Sequence, residues 1–368
     1  MLSSRLMKPF FRIGKKKIYI VRMKNIKNNT ATIEQFNIFV MQQDVDRLPI
    51  GLFEGKMGLA IYFYHQARLW SEKRYKTFAK KLLNSMYEQI NSKLPVDFKF
   101  GLTGICSGML HLFETGFIKG NPNFVLKELD DKIINTLYFS YFSDNQNISS
   151  YDLIIIAHCS LYLCKRLTDN KLAKNEKHIF EQIIIRAVNK IETSISSEKI
   201  TEPWLFSRFD YFPVLYLELI EKVYKLGFYR YKLDKVCDEW NERLTSALPT
   251  LKSHRLLMAV AMEKVNRFYK SGKWTKHISL LKQSVDIESV INTDFRDKNL
   301  YIADGLSRFY IFLKENNLLT GSAQELISEK IAYSEIWNDF KVAPDNKKQS
   351  YIGLMDGLTG VILTTQSK

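Results

Sequence analysis

The sequence is short of proline, with 8 among 368 residues, and of cysteine, with 4. Proline inside a helix removes a hydrogen bond and clashes with the preceding turn, so its scarcity fits long helices. The cysteines, Cys106, Cys159, Cys164 and Cys237, show no paired CxxC spacing. That argues against a disulfide framework and against a thiolate-rich structural zinc site. No apolar run approaches transmembrane length, and the charged N-terminus has no uninterrupted apolar stretch of signal-peptide kind, so a cytoplasmic protein is expected. Nucleic-acid motifs are also missing, although the net charge is +15 and the pI 9.4. Attraction to an acidic peptide, nucleic acid or membrane surface is one meaning of that charge. Lysines spread over outer helix faces are the simpler one. The one dense cluster, Lys15-Lys16-Lys17 near Arg12 and Arg22, lies outside the repeats described next.

What the sequence does have is a glycine phrase that recurs before apolar helical runs. It reads Glu54-Gly55-Lys56-Met57-Gly58, Phe100-Gly101-Leu102-Thr103-Gly104, Asp304-Gly305-Leu306-Ser307 and Asp356-Gly357-Leu358-Thr359-Gly360. The first and last copies share an upstream pair, Gly51-Leu52 and Gly353-Leu354. From Gly55 to Gly101 is 46 residues and from Gly305 to Gly357 is 52; the stretch between holds four intervals of similar length if three units have lost their glycines. Each unit reads as a helix apolar on more than one face, followed by an amphipathic one. Leu59–Trp70 and Tyr75–Lys93 form the first pair. The third pair is Asp152–Leu167 with Ile179–Ile191, the fourth Tyr211–Leu226 with Leu233–Leu244. A period near 50 of this kind indicates a helical repeat. Asn29–Asp44 reads as a further helix, and Lys17–Val21 as a short strand within a basic extension, residues 1–28. An open solenoid needs polar end repeats, whereas the end copies here are the most apolar. The expectation is therefore an all-α, closed α/α toroid over residues 29–368, with about seven inner and seven outer helices.

Glycine near a helix start costs roughly 1 kcal/mol per residue against alanine. Two offsets suggest themselves: close approach of backbones, and a ring of helix N-termini offering N–H donors to anions. Glu54, Asp304 and Asp356 stand immediately before phrase glycines. Helix capping is the simpler role for Asp304 and Asp356, with acid/base work in a cavity as the alternative.

The phrase Gly51-Leu52-x-x-Gly55-x-x-Gly58-x-Ala60, with Gly101-Leu102-Thr103-Gly104 and Gly357-Leu358-Thr359-Gly360, resembles the repeats of lanthionine synthetase C-like (LanC-like) cyclases. The resemblance spans about residues 48–368, strongly at both ends and weakly from 150 to 295. It implies an α/α toroid with seven inner and seven outer helices. It also implies a central zinc ion that lowers the pKa of a substrate cysteine, whose thiolate adds to a dehydrated serine or threonine, as in lantibiotic biosynthesis. The ligand positions that the resemblance carries over do not hold zinc ligands here. Ala303 stands for a cysteine and Asp304 for a histidine. Ser253-His254-Arg255 has no second cysteine, and Phe209-Asp210-Tyr211 lacks a histidine. His158-Cys159 and Cys106 with His111 lie elsewhere in their repeats. No cofactor, zinc included, is expected.

Three functions follow from this reading. The first is a LanC-like protein that binds a ribosomally made peptide or assists a modifying enzyme, without thioether cyclisation. The second is a metal-free enzyme using Asp304, Asp356 or Glu54, with His254 or Tyr301, for example on a sugar substrate. The third is a cyclase with an unusual metal site.

Overall fold

A computed structural model describes residues 26–366 except 92, 144–147 and 196–200, with no side-chain description for 26–31. The expected strand at Lys17–Val21 and the basic extension 1–28 thus fall almost wholly outside the described residues. In chain order the helices begin with α1 Ile26–Met41, α2 Lys56–Trp70, α3 Lys73–Gln89 and α4 Leu102–Glu114. Next come α5 Pro122–Val125, α6 Lys127–Thr136, α7 Ser150–Leu167, α8 Lys174–Ser194 and α9 Phe212–Leu226. Then follow α10 Arg230–Ser246, α11 Lys252–Tyr269, α12 Gly272–Gln283, α13 Ile287–Thr293 and α14 Leu306–Glu315. The last are α15 Gly321–Tyr333, α16 Ile336–Val342, α17 Asp345–Lys348 and α18 Leu358–Gln366. Among the described residues there is no β-strand, and no helix is long and apolar enough to cross a membrane.

The chain gathers into two compact units. One holds Val96–Phe98 and Gly120–Asp294; the other holds the described residues up to Pro95, Lys99–Lys119 and Phe295 onward. In the first unit α7, α9 and α11 pack in a row, each buried over most of its surface. They are covered by α8, α10 and α12, whose apolar residues keep to one side. Pro213 lies in the first turn of α9, where its missing N–H costs nothing.

In the second unit the buried helices pack in the order α14, α18, α2, α4, so the last helix of the chain stands beside the first glycine-phrase helix. Helix α3 covers α2. Helix α1 reaches the same covering layer through Phe36, which packs edge-on against Tyr62 and Phe340. Asn37 joins in, accepting from the Tyr62 hydroxyl at 2.5 Å. The junction between chain beginning and chain end is thus made by α18 directly on α2. Helix α4 ends at Gly116, whose positive φ of 70° lets Phe117 N–H return to the Leu112 carbonyl.

The loops leading into the glycine-phrase helices carry a repeated hydrogen-bond pattern. Lys56 N–H donates to Pro49 O, Leu102 N–H to Pro95 O and Leu306 N–H to Asn299 O, each reaching seven residues back. Met57 to Ile50 and Ser307 to Leu300 repeat the step one residue on. Each loop therefore closes over the start of its own helix. Gly305 sits at the closure with φ −119° and ψ −168°, extended backbone open to any residue. Glycine is needed there for space, because a Cβ would lie 2.5 Å from Tyr301 N and 2.7 Å from Asn299 O. At Gly360 a Cβ would lie 2.0 Å from Leu354 O.

Candidate functional site

The loops of the second unit are also joined to one another. Ala303 N–H donates to Met355 O at 2.9 Å, and Met355 N–H donates to Phe53 O at 3.1 Å. Leu52 and Phe53 then both donate to Lys99 O. Phe53, Ala303 and Met355 are the residues immediately before Glu54, Asp304 and Asp356. The three acids therefore stand one per loop, at matching positions along a backbone ladder. Glu54 is exposed, while Asp304 and Asp356 are half-buried.

The capping role expected for Asp304 is not made. The N-cap of α14 is Gly305, with no side-chain cap bond. The reason lies in the backbone: the first N–H groups of α14 already bond to Asn299 and Leu300 carbonyls. The same use of N–H groups in α2 and α4 removes those donors from the anion-binding floor expected at these helix starts. What the two aspartates do share is Tyr301. Burial pushes its phenol well above the ordinary tyrosine range, and Tyr351, Asp304, Asp356 and Asp339 add to the shift. The hydroxyl stays protonated beside two carboxylates, able to donate but not to act as a base.

In the first unit His254 forms a closed arrangement at the start of α11. Its Nε2 accepts the Ser207 backbone N–H at 3.1 Å, which leaves the neutral ring's proton on Nδ1 for Glu202 Oε1 at 2.8 Å. Glu202 also accepts Thr250 N–H at 2.7 Å and Leu251 N–H at 3.0 Å. The Tyr211 and Phe206 rings pack near the imidazole, with centroids 4.6 and 5.9 Å away. Burial pushes the imidazole below its ordinary pKa, with Glu202 opposing. Burial alone would raise the Glu202 carboxyl; the Thr250 N–H, His254 and the Leu251 N–H outweigh it and hold the group below the usual range. The result ties the loop 202–211 to α11.

These residues do not fit the thiolate zinc site that the family resemblance carries. Ala303 offers a methyl group, and both ring nitrogens of His254 are engaged. His158 Nε2 faces the Phe209 carbonyl at 2.8 Å while its ring stacks on Phe98. Cys159 lies in the core with its thiol directed at Val96 O. Cys106 is fully buried. Among the described residues no three His, Cys, Asp or Glu side chains come together as a metal ion would require.

Two participants escape a reading of the sequence. Glu202 is one acid in a polar loop, and nothing local marks it as the partner of a histidine 52 residues on. His65 is the other. It meets His111 with Nε2 atoms 3.2 Å apart. The available signal is position: each stands ten residues after a phrase glycine, Gly55 and Gly101.

No family model and no curated protein matches this sequence. Among solved structures, nisin cyclase is similar over 93% of this chain and 93% of its own, at 16% sequence identity and a TM-score of 0.62. At that identity the likeness speaks for the fold alone. The chain has the all-α, α/α-toroid fold of the LanC-like nisin cyclase.

Proposed function

We propose that this protein uses a LanC-like scaffold to bind a ribosomally synthesised peptide and take part in its modification, without zinc-dependent thioether formation. The observation that carries the reading is the occupation of the ligand positions by structural bonds. Where a thiolate would be needed there is Ala303, its N–H committed to Met355, and His254 is locked between Ser207 and Glu202. The +15 charge favours an acidic peptide over a basic one. Such a role belongs in the cytoplasm, where precursor peptides are made, with a modifying enzyme as a further partner. The test is binding of the purified protein to peptides encoded beside its gene, alongside metal analysis. Micromolar binding with substoichiometric zinc is expected. No binding at high micromolar peptide, or stoichiometric zinc with thioether formation, overturns the proposal.

The ladder of acids supports a second reading, an acid/base enzyme without a metal. Asp304 and Asp356 stand at equivalent places in adjoining loops and both act on Tyr301. Paired carboxylates at suitable separation cleave glycosidic bonds. Screening glycosides with wild type, Asp304→Asn and Asp356→Asn separates the readings: turnover lost in both variants favours the enzyme, and no turnover by the wild type removes it.

A further inference from the structure

Several large apolar side chains of the first unit stand out in solvent. On the loop before α9, Trp204 is 97% exposed and Leu205 51%. Leu248, between α10 and α11, is 56% exposed, and Leu280 on α12 is 53% exposed. Exposed apolar residues are common singly, so their grouping is what carries meaning. Hydrogen bonds lace these three segments side by side. Glu202, just before Trp204, accepts from the Thr250 and Leu251 N–H groups, just after Leu248. His277 Nε2 donates to Ala247 O at 3.0 Å, beside Leu248, and Leu280 follows one turn later on the same side of α12.

We propose that this edge docks on an anionic membrane surface, with Trp204, Leu205, Leu248 and Leu280 entering the headgroup boundary and Lys273 and Lys276 meeting lipid phosphates. Charge favours that occupant. Residues 203–209, 247–262 and 271–285 contain no Asp or Glu, yet hold Arg208, Lys252, Arg255, Lys273, Lys276 and Lys282. Arg208 and Lys282 are spent on ion pairs with Glu218 and Glu263. Glu202, the acid nearest Trp204 in sequence, is turned to backbone N–H groups and His254. Lys273 and Lys276 are exposed on α12, and their spacing from Leu280 puts all three on one helix stripe.

Shape favours lipid over a peptide. An indole so exposed has no walls beside it, so it forms a knob and not one side of a groove. A bilayer interface moulds itself round such a knob. Tryptophan partitions there, with its ring in the apolar boundary and its N–H toward water. Basic residues alongside add attraction to anionic headgroups. The loop is also held in place before it docks. Glu202 fastens it on one side of Trp204, and on the other Phe206 is buried and the Ser207 N–H is bonded to His254. Little ordering is left to be done in the docked state. The contact is peripheral, made by side chains on loops and one helix face.

The experiment is co-flotation of the full chain with vesicles of phosphatidylcholine, either alone or mixed equally with phosphatidylglycerol. Wild type is compared with Trp204→Ser/Leu205→Ser and with Lys273→Glu/Lys276→Glu. These positions are exposed, so both variants should keep the fold, which circular dichroism checks. Wild type is expected to bind the mixed vesicles and not the neutral ones, and each variant to bind about tenfold more weakly. Both variants leave the basic cluster Lys15-Lys16-Lys17 intact, so the loss reports on this edge alone. Failure of wild type to bind mixed vesicles overturns the proposal. So does binding that Trp204→Ser/Leu205→Ser retains at full strength. Capture of an acidic peptide in place of vesicles, lost in that same variant, assigns the edge to a protein partner and also overturns it.

Discussion

The backbone N–H of Ala303 donates to the carbonyl of Met355, 2.9 Å away. That bond runs between two glycine-phrase loops and occupies the place where the family resemblance puts a metal-binding cysteine. Restoring side chains alone should not restore a metal site. The double substitution Ala303→Cys/Asp304→His is expected to retain less than one zinc per ten molecules after dialysis, because His254 remains engaged at both nitrogens. Elemental analysis of the dialysed variant checks this; near-stoichiometric zinc would contradict it.

The loop closure makes a sharp distinction among glycines. Gly360→Ala places a methyl carbon 2.0 Å from Leu354 O, where backbone must move. A loss of about 3 kcal/mol or more is expected in urea unfolding. Gly321→Ala, at the start of α15 with nothing within 4 Å, serves as the comparison. It should change stability by less than about 1 kcal/mol, in either direction.

Glu202 and His254 give a pH-dependent element. The folded pKa of Glu202 is lowered, so its contribution is present above the unfolded value near 4.5 and is lost as pH falls through the folded one. The folded pKa of His254 is also lowered, so the unfolded ring binds protons first and stability again falls with acid, from about pH 6.5 downward. Glu202→Gln should cost about 1–2 kcal/mol at pH 7, as expected for hydrogen bonds to a half-buried charge. The cost should shrink by pH 4. Melting temperatures of the two proteins across that range measure it.

All four cysteines are buried, and burial pushes the thiols of Cys164 and Cys237 up to about 12. Thiolate is the reactive form. Under native conditions at pH 8 a thiol reagent should label fewer than one cysteine per molecule within minutes, against four in denaturant. Rapid native labelling of any one would show that its helix opens locally.

The repeat was legible in the sequence because glycine is required for space where loops close against their own helices, and Gly55, Gly305 and Gly357 keep that requirement visible. The units between them had to be read from apolar runs alone. Their helices were still found, as in α7, α8 and α9, but α13 was missed. The apolar positions of α15 and α16 run on without a local break, yet the helices separate at Ser334, where Ser334 and Glu335 bond to Asp297, a residue 37 to 38 positions earlier. Partners at that distance leave no local mark. Asp304 was misread for a related reason. It has the composition of a cap, but the donors were already satisfied by backbone carbonyls, and backbone bonds have no residue type to betray them. The matching steps of Glu54, Asp304 and Asp356 along the ladder also emerge only when the loops lie side by side.

One consequence concerns the order in which the chain is made. Gly120–Asp294, with the bulk of its unit, is continuous and can pack as soon as it emerges. The other unit must wait. Helix α2 stays incomplete until α18 arrives, and Gln66 meets Gln366 across 300 residues of sequence. Through most of synthesis the apolar faces of α2 and α4 have no complete partner, a state that favours aggregation or chaperone capture. Contacts of such sequence separation also fold slowly. The protein's earliest glycine phrase is among the last parts to reach its final surroundings.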